Sequence, residues 1–172
     1  LMIRRPTRST QSRSSAASDV YKRQALGWGT VLVYKKPGVA IISTGDEIVP
    51  VHSQPKPGQV RDINLYALGA SVEEIGAIPH YRDIIPDDEL ALEKELQKCI
   101  ESDEIDMVLI SGGSSVGSRD YTLRVLNHLG SPGVLVHGLA LKPGKPTIIS
   151  LNNQKPIIGL PGHPVSTLIV FE

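Results

Sequence analysis

A loop rich in glycine and serine, SGGSSVGSRD at residues 111–120, has the composition best suited to chemistry. Its glycines lack a Cβ, so the backbone can take positive φ and approach a ligand closely. The apolar run before it predicts a strand, and the apolar spacing after Asp120 predicts a helix. The first N–H groups of that helix would suit an anion, which favours a phosphate cradle; an ordinary turn with Asp120 as helix N-cap is the alternative. The candidate binding residues here are Gly112, Gly113, Ser114, Ser115 and Gly117.

Three other loops follow predicted apolar strands and carry acids, glycines or prolines. They read TGDE at residues 44–47, PDD at residues 86–88 and LPGHP at residues 160–164. Carboxylates beside a phosphate-sized loop fit a phosphorylated ligand whose charge is bridged by a divalent cation such as Mg²⁺. Each loop also has a plainer interpretation: a turn for TGDE, first-turn acids that complement a helix dipole for PDD, and helix initiation for LPGHP.

A fifth loop, KPGKP, places Lys142 and Lys145 on a stiff, exposed turn. Two lysines at fixed spacing can clamp an anion, or they can simply be solvated. The residues alone leave both interpretations open.

Strand and helix patterns alternate three times, which predicts an α/β fold with three layers: a mostly parallel sheet with helices on both faces. A β-hairpin around residues 152–154 is expected near the C-terminus. In such a sheet the loops at the carboxyl ends of the strands share one edge, where ligands bind. The predicted strands are Val31–Tyr34, Val39–Ile42, Ala77–Ile85, Met107–Ile110, Val134–Leu141, Pro146–Leu151 and Lys155–Leu160, and the predicted helices are Asp62–Ile75, Pro86–Glu101, a run through Leu129, and Val165–Glu172.

Composition excludes several classes of protein. Eighteen Lys and Arg residues balance eighteen Asp and Glu, and aromatic residues make up 4%, so a nucleic-acid binder is disfavoured. Cys99 is the single cysteine, which excludes an internal disulfide, and its place on an apolar helical stripe predicts a core residue. No apolar run approaches the roughly 20 residues of a membrane helix. We expect a cytoplasmic protein without a membrane or nucleic-acid partner.

Residues 1–24 differ from the rest of the chain. They are rich in Arg, Ser and Thr and lack apolar periodicity, so we expect disorder. The ending SAASDVYKRQ resembles translated vector or adaptor sequence, which favours a non-native leader over a transit peptide or a nucleic-acid arm. Residues 25–172 are expected to form one α/β domain. The apolar end VSTLIVFE suggests that the chain stops inside a helix, as a fragment of a longer protein would.

Taken in order, TGDE, GQVRDIN, PDD, SGGSSVGSRDYT, KPGKPT and LPGHPVS resemble the third domain of the molybdopterin molybdenumtransferase family, which includes MoeA and the E domain of gephyrin. The resemblance covers roughly residues 31–172 and differs at His163, where many relatives have Asn. It implies a transferase of molybdenum cofactor biosynthesis that uses Mg²⁺, inserts molybdate into adenylylated molybdopterin and releases AMP. It also implies homodimers in the full-length protein, whose further domains are absent here, and therefore weak or no activity in this chain alone.

The resemblance assigns roles to residues that match the family motifs. Glu47, Asp87 and Asp120 become candidates for catalysis and for Mg²⁺ binding. The glycine loop would hold phosphate or pterin groups. On grounds of charge, the two lysines are candidate partners for the molybdate oxyanion. The remaining candidate substrate-binding residues are Thr44, Gly45, Asp46, Lys142, Lys145, Pro161, Gly162 and Pro164.

Two other functions stay open at this point. A molybdopterin adenylyltransferase has the same fold and a similar glycine loop, although KPGKP and LPGHPVS favour the molybdenumtransferase. A non-catalytic module for oligomerisation or binding is the second alternative.

Overall fold

The computed structural model of the protein describes residues 21–22, 24–27, 30, 32–112 and 118–172, without the side chains of 118–120. The chain divides into two compact units, residues 1–35 and residues 36–172. All helices and strands named below belong to the second unit. The strands are β1 (Gly38–Thr44), β2 (Ile48–Val49), β3 (Val60–Arg61), β4 (Ile78–Ile85), β5 (Met107–Gly112), β6 (Pro132–His137), β7 (Ile148–Asn152) and β8 (Lys155–Leu160), and the helices are α1 (Asn64–Glu74), α2 (Glu89–Glu101), α3 (Ser118–His128) and α4 (Pro164–Phe171).

Six strands form one mixed sheet in the order β4-β1-β5-β8-β7-β6. The first four are parallel to one another, and β7 runs antiparallel to both β8 and β6. Strands β2 and β3 form a separate two-stranded parallel pair. The predicted mostly parallel α/β fold with a C-terminal hairpin is confirmed, and the hairpin is built into the main sheet because β8 pairs with β5.

The core lies on both faces of the sheet. One cluster packs Ala40 and Ile42 of β1 against apolar residues of α2 and α3, such as Leu96 and Leu126. A second cluster packs the alternate residues of β1 against α1 and α4. Every residue of β1 is buried, as expected for a central parallel strand whose run is apolar throughout. Cys99 is a fully buried core residue of α2, as predicted.

Three predicted elements need correction. The strand at residues 31–34 is wrong: residues 32–34 are exposed and outside any strand, because an apolar run forms a strand only where a neighbour pairs with it. The strand predicted at Val134–Leu141 lies at Pro132–His137, and Gly138, with φ of 88°, follows its end. Helix α2 begins at Glu89 instead of Pro86, because Asp88 has extended backbone and its Oδ1 caps the N–H of Ala91 at 2.7 Å.

The expectation of a disordered, non-native leader concerns residues that lie mostly outside the described ones. Within residues 1–24, only Tyr21, Lys22 and Gln24 are described, and they are helical and exposed. The nature of the leader stays a prediction.

The β7–β8 hairpin fastens two helices to the sheet. Its last β7 residue, the buried Asn152, donates from Nδ2 to the carbonyl of Leu126 in α3 at 2.6 Å. Lys155 begins β8 and donates from Nζ to the carbonyls of Ser102 at 2.5 Å and Cys99 at 3.3 Å. These carbonyls lie at helix C-termini, where they lack partners within the helix, so the hairpin satisfies them.

None of the helices in the described part of the chain combines the length and the apolar composition needed to cross a membrane.

The hairpin turn itself offers a test of backbone strain. Asn153 and Gln154 have φ of 49° and 67°, the conformation of a type I′ turn, which favours Asn-Gly. We expect Gln154→Gly to stabilise the protein by about 0.5–1 kcal/mol, since glycine adopts positive φ without a Cβ clash. Thermal unfolding followed by circular dichroism should show a midpoint about 2–4 °C higher. Gln154→Ala keeps a Cβ and should show no such gain; an equal gain would contradict this explanation.

Candidate functional site

The ends of the four parallel strands bring the predicted loops to one edge of the sheet. Thr44 at the end of β1 pairs with Ile85 of β4 on one side and with Gly112 of β5 on the other. Ser111 of β5 pairs with Leu160 at the end of β8. The loops TGDE, PDD, SGGSSVGSRD and LPGHP therefore all leave the sheet at its carboxyl edge.

The lysine loop reaches the same edge from the opposite direction. Strand β7 is antiparallel to β8, and its first residue, Ile148, pairs with Gly159 near the end of β8. Lys142 and Lys145, which precede β7, are exposed. Gly144 between them has φ of 120°, and a Cβ there would lie 2.5 Å from Val170 of α4, so this loop packs closely on α4.

The centre of the site is a short chain of hydrogen bonds around Asp87. Its backbone N–H donates to Oδ1 of Asp46 at 3.1 Å, which joins the PDD loop to the TGDE loop. Its side-chain Oδ1 accepts a hydrogen bond from the hydroxyl of Tyr121 in α3 at 2.9 Å. One aspartate thus ties two loops and helix α3 together. Within the described residues, no hydrogen bond reaches Oδ2 of Asp46 or of Asp87, so each carboxylate has an oxygen available to a ligand.

Tyr121 is buried, with 7% of its surface exposed. Burial, and next the carboxylate of Asp87 that accepts its hydrogen bond, raise the pKa of the Tyr121 hydroxyl well above its ordinary value of 10.0. The hydroxyl therefore keeps its proton at any physiological pH and acts as a permanent donor to Asp87.

Glu47 follows Asp46 in the TGDE turn. A Cβ added to Gly45 would stand 2.8 Å from Oε2 of Glu47, so the glutamate side chain folds back over Gly45. Glu47 is exposed, as are Asp46 and Asp87. The neighbouring Asp88 is different, because its Oδ1 is used in capping α2. Three solvent-accessible acids therefore border the same turn.

A buried amide, Asn64 at the start of α1, ties two further loops together. Its Nδ2 donates to Oγ of Ser111 at 2.7 Å and to the carbonyl of Gly162 at 2.8 Å. Ser111 is buried at the end of β5, and Gly162 lies in LPGHP, where Pro161 is buried and Pro164 begins α4. The hydroxyl of Thr167 in α4 donates to the carbonyls of Pro161 and His163 and holds the same loop from its other side.

The first part of the glycine loop can be placed as well. Gly112 has φ of 116°, and a Cβ there would lie 2.1 Å from the carbonyl oxygen of Thr44, so only glycine fits. The predicted residues Gly113, Ser114, Ser115 and Gly117 lie outside the described residues, as does the side chain of Asp120. The backbone of Asp120 belongs to α3, which begins at Ser118, so its interpretation as the helix N-cap is wrong.

Two residues of this site, Asn64 and Tyr121, were not among the predicted ones. Both stand in quoted motifs, GQVRDIN and SGGSSVGSRDYT, but neither has a distinctive spacing. Their common signal is a polar group on the buried face of a helix, which must find a partner. The identity of that partner depends on contacts between residues far apart in sequence.

Within the described residues, no three His, Cys, Asp or Glu side chains are grouped closely enough to hold a metal by themselves. Mg²⁺ in phosphoryl-transfer sites is usually held by one or two carboxylates together with substrate phosphates. Asp87, whose Oδ2 accepts no hydrogen bond from the described residues, and the exposed Glu47 fit this arrangement, in which the substrate supplies further ligands.

Comparison with known proteins identifies relatives of this chain. Residues 40–172 match the family described as "Probable molybdopterin binding domain". A molybdopterin molybdenumtransferase from Nostoc is 40% identical over 144 residues, which cover 82% of this chain and 32% of that protein. One from Synechocystis is 37% identical over 150 residues, or 86% of this chain and 38% of that protein. The crystal structure of a molybdopterin biosynthesis MoeA protein from Pyrococcus horikosii superimposes with a TM-score of 0.73 at 42% identity, over 88% of this chain and 37% of that one.

The chain thus spans about a third of the length of these curated relatives.

The amide clamp predicts a loss of stability in Asn64→Ala. The change leaves Ser111 Oγ and the Gly162 carbonyl without their donor, and we expect a loss of about 1–3 kcal/mol in the free energy of unfolding. Ser111→Ala removes one of the two hydrogen bonds and serves as the matched comparison. Urea titration measures both; an equal or larger loss in Ser111→Ala would show that the link to Gly162 does not stabilise the fold.

The raised pKa of Tyr121 predicts how stability changes at alkaline pH. The unfolded tyrosine ionises near pH 10, whereas the folded one keeps its proton to higher pH, so the folded state binds more protons in that interval. Its contribution is complete below pH 10 and is lost as the pH rises toward the folded pKa, at up to roughly 1.4 kcal/mol per pH unit.

We therefore expect Tyr121→Phe to lose less stability than the wild type between pH 10 and pH 11, although it is about 1 kcal/mol less stable at pH 7 because Asp87 loses its donor. Urea titrations at several pH values provide the measurement. Parallel stability curves for the two proteins above pH 10 would contradict the assignment.

Proposed function

The chain belongs to the probable molybdopterin binding domain family, and on that premise we propose that it provides the substrate-binding and catalytic segment of a molybdopterin molybdenumtransferase. The reaction is insertion of molybdate into adenylylated molybdopterin, with release of AMP. The observation that carries this proposal is the joining of TGDE, PDD and the glycine-loop helix through Asp87 at the sheet edge. Mg²⁺ as cofactor, a homodimer of the full-length protein and a cytoplasmic location are parts of the same proposal.

In this mechanism the described carboxylates have distinct tasks. Asp87 is held by Tyr121 through Oδ1 and presents Oδ2 to the substrate, so its orientation is fixed before the ligand arrives. Asp46 holds the backbone of Asp87, and Glu47 adds a third exposed acid at the same turn. Positioning of this kind lowers the barrier by removing the cost of arranging groups during the reaction.

Mg²⁺, when bound, would neutralise charge on the phosphoanhydride. Asp87, Glu47 and Asp120 are the residues proposed to hold it. The exposed Lys142 and Lys145 at the same edge would attract the molybdate oxyanion, while Gly112, which has no Cβ, lets the end of β5 lie close to the carbonyl of Thr44. No covalent nucleophile is required, because positioning and charge neutralisation suffice for cleavage of a phosphoanhydride.

The test measures AMP released from adenylylated molybdopterin after addition of molybdate and Mg²⁺ to the chain. Asp87→Asn and Asp120→Ala should each reduce the rate by about 10²–10³-fold, because each removes a charge from the reacting centre. Asp88→Asn is the matched control. It makes the same chemical change one residue away from Asp87 and keeps the helix cap, since asparagine caps as well as aspartate, so its rate should equal that of the wild type.

Undiminished AMP release in Asp120→Ala would refute the catalytic role and favour a binding module. Formation of adenylylated product from ATP and molybdopterin would instead identify an adenylyltransferase. The chain alone should be slower than a full-length relative, since it spans only about a third of such proteins, and equal specific activity would contradict that expectation.

A further inference from the structure

A cavity of about 540 Å³ opens next to the carboxylates described above. It lies between the TGDE turn, the start of α1 and the end of β4, and Asp46 lines it while also holding the backbone of Asp87. The volume falls within the range of small-molecule sites, roughly 300–1,000 Å³. A ligand whose phosphate lies at Asp87 could therefore extend directly into this cavity.

The cavity has apolar walls and an aromatic surface. Ile48 and Leu65 are among its apolar lining residues, and Tyr66 of α1 lines it with 53% of its surface exposed. The ring of Tyr66 is supported by Tyr81, with 6.1 Å between ring centroids. Such a surface suits a flat heterocycle, because a ring can lie against Tyr66 while its edges reach polar groups.

Carboxylates supply most of the charge around the cavity. Asp46, Asp62 and Asp83 line it, and among its described lining residues the one cation, Arg82, forms an ion pair with Glu95 of α2 at 3.8 Å. Ionised carboxylates only accept hydrogen bonds, so the ligand edge that fits here must donate them.

Asp62 provides independent evidence that the cavity binds a ligand with hydrogen-bond donors. It is buried, with 3% exposed, and its Oδ1 accepts a hydrogen bond from the N–H of Leu65 at 3.1 Å. Its Oδ2 has no hydrogen-bond partner among the described residues. A buried carboxylate oxygen without a donor is unfavourable, and a ligand N–H would remove that cost.

Edge strand β4 is irregular at this point. Ile41 pairs with Tyr81 and Ser43 with Ile84, so Arg82 and Asp83 together oppose the single residue Ile42 of β1. This is a β-bulge, a feature that re-aims side chains and often lies beside active sites. Here the bulge places both of its residues in the cavity wall.

We propose that this cavity binds the pterin ring of the substrate, with the adjacent N–H donors of its 2-amino-4-oxo edge toward Asp62 and Asp83 and its face against Tyr66. The proposal rests on the proposed function. A pterin presents two neighbouring donors on that edge, whereas adenine presents one amino group beside an acceptor nitrogen that an ionised carboxylate repels. The pterin is therefore the ring of the substrate that matches these carboxylates.

The experiment titrates the 172-residue chain with free pterin, followed by its fluorescence, and separately with AMP. Asp83→Asn and Tyr66→Ala should each weaken pterin binding about tenfold, since one removes an acceptor for charged hydrogen bonding and the other a stacking surface. Both side chains are exposed, so the variants should fold, which circular dichroism verifies. Glu74→Gln, an exposed acid at the other end of α1, is the matched control and should bind pterin like the wild type.

The outcomes separate this inference from the proposed function. Absence of pterin binding, unchanged pterin affinity in both cavity variants, or loss of AMP affinity in place of pterin affinity would each overturn the cavity assignment. Asp87→Asn should keep pterin binding while it loses AMP release. If pterin binding depends on Asp83 and Tyr66 but no AMP is ever released, the cavity assignment stands and the proposed reaction falls. If AMP release depends on Asp87 but pterin binding is unchanged by the cavity substitutions, the proposed reaction stands and the cavity assignment is wrong.

Discussion

The constraint on which the structure depends is the common end point of four parallel strands. β4, β1, β5 and β8 pair in a register that stops each of them at the same edge, so the loops that follow must meet there. The main-chain hydrogen bonds of the sheet fix this register, and a slip by one residue would turn every buried side chain of β1 to the wrong face. The site is therefore a consequence of how the sheet is aligned, and its chemistry is added by the side chains at the ends of the strands.

Short-range order at that edge comes from a few buried polar contacts. Asn64 joins the end of β5 to the LPGHP loop, and Tyr121 joins α3 to Asp87. In surroundings of low dielectric, such hydrogen bonds are strong when complete and costly when one partner is missing. They hold loops, which are otherwise the most mobile part of an α/β domain, in one arrangement. The exposed carboxylate of Asp87 is then oriented by the buried hydroxyl of Tyr121.

Much of this architecture is predictable because its signals are local. The apolar run of β1, the helical spacing in α1 and α2, and the glycines near strand ends each predict one element, and their alternation predicts a parallel sheet with its loops on one edge. Sequence-based predictions were less successful where the local structure or a side-chain contact depends on a partner outside the local pattern. Residues 32–34 had the composition of a strand but no strand to pair with, whereas the start of α2 depended on a local contact, the Asp88 cap. Asn64 and Tyr121 could be recognised as polar groups on buried faces, but their partners were defined only by the assembled fold.

The order of strands along the chain also has a consequence for folding during synthesis. β1 is an interior strand of the sheet near the beginning of the globular region, whereas its neighbour β5 and the strand that completes the parallel set, β8, come much later in the chain. The chain must lose the entropy of closing these long loops before the long-range strand contacts can form. Folding of the sheet is therefore intrinsically slow. During synthesis β1 remains without its inner neighbour until β5 has emerged, and LPGHP, the last wall of the site, follows only after β8. A nascent chain therefore exposes the apolar strand β1 early, and its ligand site is complete only after β8 and the LPGHP loop have emerged, so no substrate can stabilise the fold before that point.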